Sequence, residues 1–172
     1  MTKRTSRRSF LGSASAAALG LTAAPLLTKK AAAQSAPAAP PVPVQTIPAE
    51  KLAALVEAAH KKPGNTDLAD GKGTPITMVL TNEVSKAAAE FEYHQHRDHI
   101  FQILDGETTY YLGGTPKTPR ETKPGEFLAP DSEGAKAHEL KKGDYIFIPR
   151  MTPHKRVTKA SVTFILTSAT SN

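Results

Sequence analysis

The placement of histidines constrains this chain more than any other feature. Six occur in 172 residues, and four fall in two short segments: His94, His96 and His99 in one, His154 in the other. In an extended strand, side chains two apart share a face, so His94 and His96 point one way and Gln95 the other. His99 has the wrong parity for that face if the strand runs on unbroken. The pair Arg97-Asp98 offers a turn or bulge that can aim His99 back at the same point. Ile100 to Leu104 is rich in β-branched and aromatic residues, and Asp105-Gly106 reads as a type I′ hairpin turn. Glu107 to Leu112 is then the returning strand, stopped by Gly113-Gly114. Three imidazoles converge from two segments, and a fourth must come from elsewhere in the fold.

The later segment supplies it. Gly143-Asp144 is a turn, Tyr145 to Ile148 an apolar strand, and Pro149 ends its hydrogen-bonding ladder. Arg150 to Pro153 turns again, and His154 opens a strand running to Lys159. The sequence resembles a cupin at these residues. The usual first cupin motif is His-x-His, three or four residues, Glu, six residues, Gly. Here His94-x-His96 is followed by two residues, His99, six residues and Gly106. The usual second motif is Gly, five residues, Pro-x-Gly, two residues, His, three residues, Asn. Gly143, Pro149, Met151, His154 and Thr158 stand at those places, with Met151 for the second glycine and Thr158 for the asparagine. His99 stands where cupins usually carry Glu, one residue early. The resemblance covers residues 75 to 168.

That resemblance implies an all-β chain: a single jelly-roll-like cupin barrel, about 75–168, within a domain over 48–172. A helix over 48–61 precedes the barrel. Pro48 suits a first helical turn, and Leu52, Leu55, Val56 and Ala59 fall on one face. That face is expected on the outside of the barrel, with His60 a solvated C-terminal histidine. Asp67 to Gly73 reads as a polar loop, Pro75 to Thr81 and Ala88 to His96 as strands, and Ser161 to Ser168 as the last strand. Between the motifs, residues 113–134 read as a Pro/Gly-rich insert overhanging the barrel mouth or as a plain surface excursion. His138, outside both motifs, is not expected to be a ligand. Free sheet edges make a homodimer an expectation.

Neutral imidazole suits Fe, Mn, Ni, Cu and Zn, whereas Mg and Ca want oxygen. One divalent transition metal on His94, His96, His99 and His154 is the expected cofactor. No catalytic acid or base stands out. Gln102, Glu92 and Tyr110 are the polar candidates beside the metal, each of them also readable as a barrel-wall or edge residue. The function expected is a metalloenzyme, of oxygenase or isomerase/lyase type, acting on a small organic molecule. The alternative is a non-catalytic cupin that binds a small ligand or holds metal. A complete ligand set under an overhanging insert favours the first, and the lack of an obvious acid/base partner favours the second.

The N-terminus sets the expected compartment. Ser6-Arg7-Arg8-Ser9-Phe10-Leu11-Gly12 resembles a twin-arginine export signal, and Ala31 to Ala33 offers a cleavage site, so residues 1–33 read as a removable signal. Residues 34–47 read as a disordered Pro/Ala linker. The expected location is periplasmic or secreted, without stable membrane insertion after cleavage. Export in the folded state would trap a cytoplasmic metal, which favours Fe or Mn over the tighter-binding Zn, Ni or Cu. The six charges of residues 1–33 are all basic. Removing them leaves 16 of the 22 Lys+Arg against 16 Asp+Glu, so the basic balance belongs to the signal and nucleic acid is not an expected partner. With no cysteine in the chain, neither a disulfide framework nor a thiolate ligand is available.

Overall fold

The computed structural model describes residues 41–171. The twin-arginine signal expected over 1–33 and the first part of the expected linker lie outside the described residues. Residues 41–47 carry no regular structure and are mostly exposed. Helix α1 (Ala49–Lys61) begins directly after Pro48, whose fixed φ and missing N–H cost nothing at a helix start. Leu52, Leu55 and Val56 are half-buried and Ala59 is buried, the face that the spacing predicts, and α1 packs against three strands of the barrel. His60 is exposed and outside the imidazole cluster, as expected, but it also makes a contact. Its Nε2 lies 3.0 Å from the Thr163 hydroxyl and 3.6 Å from the Asp105 carboxylate, so it pins the helix end to the barrel wall. No helix among the described residues is long and apolar enough to cross a membrane.

The strands that follow are β1 (Gly64–Ala69), β2 (Ile76–Ala87), β3 (Phe91–His94), β4 (Arg97–Leu112), β5 (Thr115–Lys117), β6 (Arg120–Lys123), β7 (Glu126–Ala129), β8 (Asp131–Glu133), β9 (Lys136–Lys141), β10 (Tyr145–Ile148) and β11 (His154–Thr170). Nine of them form one hydrogen-bonded antiparallel system, and β5 pairs with β8 separately. Long β11 organises the whole, pairing with β2, β4 and β3. β4 carries β9 and β10 on its other side, and β3 carries β7 and then β6.

Two local readings are corrected. Asp105-Gly106 is not a hairpin turn: β4 runs through it and stays paired with β11 on both sides, with a register shift between Val157 and Val162. Gly106 holds φ 73°, and a Cβ there would collide with the Ser161 carbonyl. It is therefore a bulge that lets two backbones close up. The polar stretch expected as a loop from Asp67 begins as β1, paired with β2. Its first four residues are exposed and only Leu68 and Ala69 are half-buried, so no hydrophobic alternation marks it.

Alternation along β4 sorts its side chains. His99, Phe101 and Ile103 point inward before the bulge, and Thr108 and Tyr110 after it. Phe101, Ile103, Tyr110, Leu140, Ile148, Val162 and Phe164 form the apolar core. Phe101 packs edge-on to Phe164 and tilted to Tyr110, with centroids 5.5 and 4.9 Å apart. Thr158, at the motif's Asn position, is buried and shares a 2.9 Å hydrogen bond with Thr108.

Candidate metal centre

Three of the four expected imidazoles meet inside the barrel. His94 ends β3, His99 lies near the start of β4, and His154 opens β11; all are buried. Ring centroids are 4.9 Å (His94–His99), 5.4 Å (His94–His154) and 5.5 Å (His99–His154) apart. One nitrogen from each lies within 4.8 Å of the others, so the three can hold a metal ion.

His96 is not among them. β3 stops at His94, the Gln95 amide donates to the Gly125 carbonyl at 2.7 Å, and the chain turns before β4 resumes at Arg97. The two-residue alternation that would have put His96 beside His94 ends with the strand. His96 is exposed instead, with its ring against Gly125. Residue 92 is the one that shares the His94 face. The Glu92 carboxylate reaches to 3.5 Å from His154 Nε2, and β3 pairs with β11 at that point, Glu92 opposite His154. Counted from Glu92, the chain reads Glu-x-His94, four residues, His99, six residues, Gly106. That is the full interval of the first cupin motif, with the carboxylate and one imidazole exchanged.

Hydrogen bonds at Nδ1 leave each ring free to bind through Nε2. His154 Nδ1 lies 2.9 Å from the Thr152 carbonyl, which can only accept, so that nitrogen carries the proton. His94 Nδ1 lies 2.6 Å from a Glu126 carboxylate oxygen and must donate likewise. His99 Nδ1 lies 2.9 Å from the Ser168 hydroxyl, which can accept from it. Partners of this kind on the outer nitrogen set tautomer and ring orientation in metal-binding histidines.

The inner nitrogens show what is missing. His154 Nε2 is buried without a hydrogen-bond partner, and it faces the Glu92 carboxylate. A proton on Nε2, giving an imidazolium–carboxylate pair, or a metal ion held by both groups would satisfy the two atoms. A divalent metal would be held by His94, His99 and His154, with the Glu92 carboxylate beside them. The electrostatics suit this. Burial and the neighbouring His154 and His94 push His99 down to about 3, keeping it a neutral ligand. Burial lowers His94 too, opposed by its bond to Glu126. Contact with His154 holds Glu92 at about 2, against the cost of desolvation, so it is a carboxylate at neutral pH.

A cavity of about 330 Å³ adjoins His154 and Glu92. Glu83, Tyr110, Leu128 and Arg156 also line it. Arg156 donates to both Glu83 oxygens, and its Nη1 donates to the Tyr110 hydroxyl at 2.7 Å. Lys86 sits at the mouth, 3.1 Å from Glu83. Of the three polar candidates, Glu92 and Tyr110 therefore face this cavity. Gln102 does not: it lies on the opposite face of β4 from His99, beside Tyr145 of β10. Glu126 was not foreseen. It reaches His94 because β7 pairs with β3, His94 opposite Glu126, and that long-range register has no local signature.

No family model matches the chain, and no curated protein does. Solved structures do. A cupin superfamily protein from Desulfitobacterium hafniense DCB-2 is similar with TM-score 0.51 and 18% identity, over 76% of this chain and 100% of that one. A cupin protein from Bacteroides fragilis gives 0.44 and 14%, over 64% and 80%. A sugar phosphate isomerase from a cupin superfamily, from Silicibacter pomeroyi DSS-3, gives 0.40 and 18%, over 63% and 60%. Likeness at such identities is likeness of fold, and the first of these carries it. The barrel is a cupin fold, as the motif spacing predicts.

Proposed function

We propose that this protein is a metal-dependent enzyme acting on a small polar organic molecule, with the metal on His94, His99, His154 and Glu92. The observation that carries the reading is the buried His94, His99 and His154 cluster, with nitrogens within 4.8 Å of one another and a His154 Nε2 that has no hydrogen bond and lies 3.5 Å from Glu92. Three imidazoles and one carboxylate leave open positions on a six-coordinate ion, and a metal there supplies Lewis acidity and a binding place for substrate. Fe or Mn remains the proposed metal, loaded before export through the twin-arginine route.

The chain's own residues define what can enter. Glu83 and Arg156 neutralise each other, so the wall presents both an acceptor and a donor without net charge. Tyr110 accepts from Arg156 and keeps its own hydrogen to donate to a ligand. Burial raises its pKa, so it stays a neutral donor through the physiological range. Leu128 gives the cavity one apolar wall. These groups fit a hydroxylated or carboxylated small molecule, bound at the metal and oriented by Tyr110, for an oxygenase or an isomerase/lyase reaction.

The test is metal analysis of purified protein, followed by screens for dioxygen consumption and for isomerisation or elimination of small hydroxy acids and sugar derivatives. One transition metal per chain is expected, with turnover lost and metal kept in Tyr110→Phe. Metal binding no greater than in the triple His94→Ala, His99→Ala, His154→Ala variant would overturn the metal site. Stoichiometric metal with no turnover across the screens would favour the non-catalytic binder.

A further inference from the structure

The three candidate ligands are anchored by chemically different partners. His154 donates to a backbone carbonyl and His99 meets a hydroxyl, both neutral. Only His94 bonds to a carboxylate, and at 2.6 Å its bond is the shortest of the three. Glu126 is in turn held by the Arg97 guanidinium on its other oxygen. The backbone fixes this triad from two sides. β3 and β7 pair with His94 opposite Glu126, and Arg97 opens β4 three residues after His94.

We infer that Glu126 is a positioning residue for the metal centre: seated by Arg97, its carboxylate locks His94 as the Nδ1–H tautomer and makes it the strongest of the three imidazole donors. The inference rests on the metal site proposed above. Its physics is that a charge-assisted hydrogen bond is about twice as strong as a neutral one. A carboxylate on the outer nitrogen also raises the basicity of the inner one. Arg97 takes one Glu126 oxygen and leaves the other for His94, so the carboxylate cannot rotate away. Glu126 touches neither substrate nor metal; it acts through His94.

The experiment compares wild type with Glu126→Ala, Glu126→Gln and Ser168→Ala, using Co²⁺ as probe metal against a competing chelator. Nitrogen-detected NMR of the histidine rings is recorded on the metal-free proteins. Loss of the carboxylate should weaken Co²⁺ binding roughly 10–100-fold. The Gln variant should fall between Ala and wild type, because its amide carbonyl still accepts from Nδ1 without the charge. Ser168→Ala should weaken binding less than Glu126→Ala. In the NMR spectra, His94 should appear as the Nδ1–H tautomer in wild type and Glu126→Gln, and as a mixture in Glu126→Ala. The melting temperature of each metal-free variant separates positioning from mere loss of fold.

Wild-type Co²⁺ affinity in Glu126→Ala, or an unchanged His94 tautomer there, would overturn the inference and leave the metal site standing. A wild type that binds no Co²⁺ would overturn both. If Glu126→Ala does not fold, Glu126→Gln decides alone: weaker Co²⁺ binding than wild type supports the role, and equal affinity overturns it.

Discussion

Two clusters share the barrel interior and meet where the His99 and Phe101 rings lie 5.8 Å apart. One is apolar, seven side chains around Phe101, Tyr110 and Phe164. Its members are buried against one another, and Tyr110 also lines the cavity beside His154. The other holds three buried imidazoles with the exposed Glu92 carboxylate at its edge, and it is incomplete: each outer nitrogen has its partner, while an inner nitrogen of His154 has no hydrogen bond. Residues only two positions apart on β4 thus serve opposite ends. The apolar cluster stabilises the fold under any condition, and the imidazole cluster contributes fully only with a cation inside it. Fold stability and metal binding should therefore be separable by mutation.

The sharpest way to break that comparison is to damage the apolar side. Phe164→Ala removes a ring with 1% exposure that touches Phe101, and such deletions cost about 3–5 kcal/mol. Urea denaturation of the metal-free protein should report a loss of that size. The fraction that remains folded should bind Co²⁺ within about threefold of wild type, since no ligand or ligand anchor is touched. Collapse of Co²⁺ affinity in folded Phe164→Ala would mean that the clusters are one unit.

The converse experiment adds metal. A ligand that binds only the folded state stabilises it by about 2.7 kcal/mol at a free concentration a hundred times its Kd. Wild type should gain an increment of that order with Co²⁺ and His154→Ala should gain none, by melting with and without metal. Metal-free His154→Ala should lose less than Phe164→Ala, because the deleted ring has one hydrogen-bonded nitrogen and one without a hydrogen bond. A loss as large as that of Phe164→Ala would make His154 a structural residue.

The same division explains what could be read from the sequence. The face of α1 and the strand at Tyr145–Ile148 follow from local periodicity and turn chemistry and appear where those rules put them, whereas the break that reorients His99 falls at Gln95-His96 and not at the expected Arg97-Asp98. The ligand register around His94 did not follow, because counting by twos from His94 forwards assumes a continuing strand. A contact 30 residues away, Gln95 to Gly125, helps end that strand. Glu92 was visible as a face-mate of His94, yet nothing local distinguishes a ligand carboxylate from an exposed edge residue. Glu126 was beyond reach altogether, since only the β3–β7 pairing brings it in. Gly106 misled in a different way: Asp-Gly marks a hairpin in isolation, and here tertiary pairing with β11 turned the same left-handed glycine into a bulge.

The smallest predicted effect concerns a residue of the second motif. Met151 occupies the place of the motif's second glycine, and its φ is 60°, in the left-handed region. An L side chain there costs roughly 1–2 kcal/mol. The backbone holds it because the Met151 amide donates to the His94 carbonyl at 2.8 Å, tying the turn to the strand that carries a candidate ligand. The side chain is exposed, so trimming it sacrifices little packing. Met151→Gly relieves the strain but also frees the unfolded chain, which takes back about 0.4–1 kcal/mol. The net expectation is a gain of a few tenths to about 1 kcal/mol, read as a rise in melting temperature of the metal-free protein with Co²⁺ affinity unchanged. A lower melting temperature would show that the Met151 side chain contributes more than its exposure suggests. Weaker Co²⁺ binding at unchanged stability would show that the left-handed turn helps hold His94 in place, moving Met151 from the fold's side of the comparison to the metal's.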